Sequence, residues 1–158
     1  MQEIIGQAKQ SIVMGKERFL KTFSFVPDDK LTWSPTPSSK SALRIAAHIG
    51  ISNQGMAGVV RGEKPPFSSM AELFAMIDAE EQKITTRDAA VQLIEASTNS
   101  ALAALDALTP EQLGGAAGLP GMEMPMAQFI MIIGMHMSNH AAQIDYLQTT
   151  WGDLENHF

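Results

Sequence analysis

Four proline-free stretches dominate this sequence, and the eight prolines between them leave few ways to fold it. In the first, Ile5, Ala8, Ile12, Phe19, Leu20 and Phe23 recur at helical spacing, with Lys9, Lys16, Glu17 and Lys21 between them. This predicts a helix over about 2–25. Pro27, Pro35 and Pro37 then remove backbone donors across 26–40, which predicts a long connection with Trp33 as its anchor. A second helix begins at Ser39 or Ser41, either of which can cap free amides, and runs to about Arg61. Pro65 and Pro66 stop it, and Ser68-Ser69 opens a short accessory helix through Met70, Leu73, Phe74 and Ile77.

The third long helix starts at Thr85 or Thr86 and continues through Val91, Ile94, Leu102 and Leu105 to Leu108, where Thr109-Pro110 closes it. Residues 111–125 are rich in Gly and Pro. Pro120-Gly121 is a turn signal whose flanks can pair as a short hairpin, and no larger sheet is expected. The fourth helix begins at Pro125 and reaches Trp151, with Gly152 as its stop. Four helices of roughly 20 residues bury their apolar faces most simply as an all-α four-helix bundle. Connections of more than a dozen residues allow a topology other than up-and-down. At 158 residues, the expectation is one domain spanning the chain.

Charge and composition narrow the function classes. The net charge is -6 and the eleven Lys and Arg are scattered, so no basic stripe is available for a phosphate backbone, and nucleic acid is not an expected partner. The most apolar run, Met126 to Met137, is well short of the roughly 20 residues a membrane span requires. Charges interrupt the first residues where a signal peptide needs a continuous apolar core. With no cysteine, disulfides, thiolate sites and a cysteine nucleophile are all excluded, and a metal would have to be held by His, Asp or Glu. The expectation is a cytoplasmic protein.

Chemistry concentrates in the histidines. His136 and His140 are four apart on the predicted fourth helix, so their rings lie about 40° apart around the axis and one turn along it. That spacing lets two imidazole nitrogens reach one ion at about 2.0–2.1 Å. The glutamate that follows the first histidine in zincins is absent, since Met137 stands there. Phe129, Ile130, Ile132, Ile133 and Met135 make this the most apolar helix, where two imidazoles need buried partners, and one metal ion serves both. His48, among Ala46, Ala47, Ile49 and Ile51, would alone read as a packed core histidine. With the pair it becomes a third ligand, leaving coordination positions open for water or substrate. Gln143 continues the stripe and is the candidate for orienting a water, substrate or cofactor group. His157, beside the C-terminus, is expected to be exposed and without a role. The eleven methionines read as flexible core filler.

The segment Ser41-Ala-Leu-Arg-Ile-Ala-Ala-His48-Ile, following Trp33-Ser-Pro35, and the segment His136-Met-Ser-Asn-His140-Ala-Ala-Gln143-Ile-Asp-Tyr-Leu147, followed by Gly152, resemble the DinB-like (DinB/YfiT) superfamily of metal-binding four-helix bundles. The resemblance spans nearly the whole chain. It implies a long crossover, homodimers, and a site of three histidines for a divalent transition metal, with nickel or zinc ahead of iron or manganese. It also implies a thiol-dependent S-transferase or related reaction using a low-molecular-weight thiol. A hydrolase that activates water and a non-enzymatic metal-binding stress-response protein are the alternatives. The chain departs from the common pattern at Ala141 and Ala142, and after His48 it offers only Ser52, Asn53 and Gln54 as further polar groups, so substrate contacts do not carry over.

Overall fold

A computed structural model describes residues 1–157. The helices are α1 (Gln2–Ser24), α2 (Ala42–Val60), α3 (Met70–Glu81), α4 (Arg87–Asp106), α5 (Pro110–Leu113) and α6 (Met126–Thr150), with a hairpin of β1 (Ala116–Leu119) and β2 (Met122–Pro125) before α6. The predicted starts are real caps. Ser41 accepts from the Arg44 amide at 3.3 Å, Ser69 from Glu72 at 3.2 Å and Thr86 from Ala89 at 3.2 Å. Thr109 and Gln112 cap each other reciprocally at α5. The hairpin is antiparallel, pairing Leu119 with Met122 across the predicted turn. No helix among the described residues is long and apolar enough to cross a membrane.

The four long helices form the all-α bundle. α1 packs mainly on α6 and α2 mainly on α4, while the pairs α2–α6 and α1–α4 close the ring. Thus α1 and α2, successive long helices in sequence, are not principal partners, and 25–41 crosses the end of the bundle between them. Arg87 fixes that crossing by donating to the carbonyls of Phe23 at 2.8 Å and Val26 at 2.5 Å and to Asp28 at 2.9 Å. Trp33 meets Trp151 edge-on with centroids 5.5 Å apart. The core runs through Phe19, Phe23, Ile49, Ile94, Ile130, Ile133 and Ile144, each essentially inaccessible to solvent.

At the α1–α6 seam Gly15 and Gly134 permit unusually close approach. A Cβ on Gly134 would lie 2.3 Å from Ser11 Oγ, and one on Gly15 would lie 2.6 Å from the Gly134 carbonyl oxygen. The backbones touch where side chains are missing.

Two expectations need correction. The short helix after Ser69 forms as expected but is more than accessory: α3 is 12 residues long and brings the buried Glu81 into the bundle. His157 is not exposed either. After Gly152, at φ +94°, the chain folds back over α1, so His157 is 5 % exposed and stacks on Phe25 at 4.2 Å. Its Nε2 pairs with Asp153 at 2.8 Å, and its carbonyl accepts from Thr22 at 3.2 Å. An end-of-chain argument fails when tertiary partners hold the end down.

Candidate metal centre

His48 from α2 and His136 and His140 from α6 come together at the α2–α6 seam, as the sequence pattern predicts, and their ligand atoms lie within 4.8 Å of one another. The Nε2 of His136 is 3.3 Å from that of His48 and 3.0 Å from that of His140. The three rings are mutually tilted, by 52° to 86°, so their edges rather than their faces converge. Three nitrogens bonded to one ion at about 2.0–2.1 Å stand about 2.9 Å apart at octahedral angles and about 3.3 Å apart at tetrahedral ones. The two spacings from His136 Nε2 fall in that window.

The outer hydrogen bonds fix which nitrogens face inward. His48 Nδ1 lies 2.9 Å from Glu81 Oε1, and since a carboxylate only accepts, the ring donates from Nδ1 and keeps its Nε2 lone pair. His140 Nδ1 likewise donates to the Gln143 carbonyl oxygen at 2.7 Å. Two lone pairs therefore point at His136 Nε2. That ring can give one proton to two acceptors, whereas a cation among the three nitrogens is met by all of them. His136 Nδ1 is buried without a hydrogen-bond partner among the described residues. The donor set, its spacing and the tautomers of His48 and His140 fit a divalent metal.

The site is also electrically prepared. Burial, then the neighbouring His140 and His48, pushes the His136 imidazole down to about 3, and burial lowers His140 as well, so both rings are neutral and ready to ligate. Glu81 is fully buried. Burial alone would raise its carboxyl, but hydrogen bonds from His48, Lys40 and Arg44 outweigh it and hold the group at about 2. Arg44 reaches Glu81 Oε2 from Nε at 3.0 Å and from its terminal nitrogen at 2.8 Å, and it reaches Asp78 at 2.5 Å. Lys40 also donates to Glu81. The charges of Lys40, Arg44, Asp78 and Glu81 cancel around His48.

Gln143, expected to orient a water or substrate, faces the outer nitrogen of His140, on the far side of that ring from the converging Nε2 atoms. Ser52 Oγ is 3.4 Å from His48 Nε2, and Asn53 is buried with its amide on Met137 Sδ at 3.2 Å. Sequence reasoning missed Glu81, Lys40 and Arg44. One signal was present: Lys40, Arg44 and His48 follow one another at four-residue intervals, a basic line that calls for an acidic partner. Nothing in Asp78-Ala-Glu-Glu81 marks which carboxylate answers it.

Beside the histidines a cavity of about 740 Å³ opens between α2 and α3, with His48 and His136 on its wall and otherwise mostly apolar residues from α2, α3 and the hairpin.

No curated protein matches the chain. Among solved structures it is similar to a DinB-like protein from Bacillus subtilis, with TM-score 0.67, 19% identity and 96% of each chain covered. It is also similar to a conserved protein from Enterococcus faecalis, with TM-score 0.65, 14% identity, and 89% of this chain and 92% of that one covered. At such identities the likeness shows the shared bundle fold. The family model of the DinB superfamily matches residues 12–144, a stretch that contains His48, His136 and His140 and most of all four long helices. With that match added to the fold and the three-histidine cluster, the chain belongs to the DinB superfamily.

Proposed function

We propose that this chain is a divalent-metal-dependent enzyme in which His48, His136 and His140 hold the ion, and that its reaction is a thiol-dependent S-transfer. The observation that carries the reading is the convergence of three imidazole nitrogens beside an open cavity, the arrangement of a catalytic rather than a closed structural site. A divalent ion on neutral ligands keeps its full charge and lowers the pKa of a thiol or water that meets it. Nickel and zinc are the favoured ions, since imidazole suits both. Glu81 and Gln143 hold the His48 and His140 rings by their outer nitrogens, so that the inner ones stay fixed. Having no cysteine, the chain takes its sulfur from a low-molecular-weight thiol cosubstrate. The apolar wall limits the water that competes with that thiol.

The test is elemental analysis of purified protein with His48→Ala, His136→Ala and His140→Ala variants, followed by a transfer screen with and without thiols. Near-stoichiometric metal lost in all three variants, and turnover that requires a thiol and disappears in His140→Ala, is the expected result. Full activity in His140→Ala sinks the reading. Turnover that ignores thiols replaces it with hydrolysis.

A further inference from the structure

We propose that the cavity between α2 and α3 binds an uncharged, largely hydrocarbon small molecule whose single metal-ligating head lies against His48 and His136. The inference rests on the metal-centre reading and names the substrate class of that same site. Its volume of about 740 Å³ is that of a small-molecule pocket. Ile51, Met56, Met70, Phe74, Ile77 and Ile84 supply much of the wall. α3 packs chiefly on α2 and does not close over this space, so Phe74 remains 60 % exposed. Apolar surface left in water is a standing cost that a hydrocarbon ligand relieves.

Charge argues for a neutral ligand. The carboxylate of Glu63 is taken by Arg61 at 2.6 Å, and that of Glu80 by Lys83 at 2.5 Å. Lys64 also lines the cavity, and it is exposed to solvent. Among the described residues, every Lys, Arg, Asp or Glu lining the cavity is exposed, so none is buried in the wall to recognise an ionised body. Gly55 supplies an independent observation. It is inside α2, where glycine costs the helix about 1 kcal/mol relative to alanine. A Cβ built there would meet nothing within 4 Å, and Gly55 is on the cavity wall. A side chain at 55 would extend from the exposed wall into the open space beside it.

The experiment is calorimetric titration of zinc-loaded protein with alkyl hydroxamates from acetohydroxamic to decanohydroxamic acid, and of metal-free protein with 1-alkanols of matching lengths. Burying one methylene is expected to tighten binding about fourfold until the cavity is filled, in both series. Gly55→Leu, with its melting temperature unchanged or raised, should flatten the dependence for the longer members and leave acetohydroxamate binding as it was. Equal affinity along both series, or a chain-length dependence that Gly55→Leu does not alter, overturns the proposal. So does a dimer of this chain that seats Phe74 and dissociates on Phe74→Ser, which would give the cavity to a second copy. If the alkanols show the dependence but no hydroxamate binds better than its alkanol, the metal-ligating head and the metal-centre reading fall, and only the hydrocarbon pocket stands.

Discussion

Two helix seams in this molecule are built on opposite terms. Between α1 and α6 the backbones approach until Gly15 and Gly134 leave no room for a methyl group. Between α2 and α3 a cavity of about 740 Å³ stays open. Both seams are made of apolar helices at similar spacing, so hydrophobic periodicity alone does not say which will be packed and which will be hollow. The difference lies in the small residues and in the partners. α1–α6 meets along its length, whereas α3 is held to α2 through the polar junction at Glu81.

The sharpest way to break this contrast is to place the same kind of bulk in each seam. Gly134→Val is expected to cost about 3 kcal/mol or more in urea unfolding, because its Cβ must displace Ser11 backbone. Gly55→Leu should cost nothing and can gain up to about 1 kcal/mol from helix propensity. Equal losses in the two would mean that the α2–α3 space is closed in solution.

A smaller effect is expected at the polar junction. Glu81→Gln replaces the carboxylate shared by His48, Lys40 and Arg44 with a neutral amide that has one accepting oxygen. Metal affinity should fall by about 10–100-fold, with the ion still bound at high concentration. An unchanged dissociation constant would show that the charge of Glu81 is not needed to hold the His48 ring.

Most gradual is the response to acid in metal-free protein. His136 is held at about 3, against about 6.5 in the unfolded chain, so below about pH 6.5 the unfolded state binds a proton the native state refuses. Stability is then lost as the pH falls from about 6.5 towards 3. Glu81, held at about 2, acts in the same direction: its contribution is present above the usual carboxylate range and is lost as the pH falls towards 2. Urea midpoints at pH 7, 5.5 and 4 should fall in that order. A flat series would show that the α2–α6 seam opens without unfolding the bundle.

How far the sequence reveals each part follows from the range of the interactions. Helix limits are local, written in Ser41, Ser69, Thr86 and the prolines, and they emerge with little error. The His136–His140 pair is local as well, and His48 follows from its apolar setting. Glu81 is 33 residues from His48 and joins it only because α3 folds back, so periodicity carries no trace of the pairing. The cavity is hidden for another reason: Phe74 and Ile77 read as core residues whether or not another helix covers them. His157 looks free because only its position in the chain is visible, not its stacking on Phe25.

The pairing of α1 with α6 also sets an order of events. The first helix of the bundle waits for the last of the described elements, more than a hundred residues later, before its main partner exists. Two of the three imidazoles arrive on that same last helix. During synthesis, α1 and α2 emerge with their apolar faces unmatched, and His48 emerges as a solitary donor. Any ion these residues hold is accordingly taken up by a finished bundle and not by a growing chain, which makes its identity a matter of what the folded site meets afterwards.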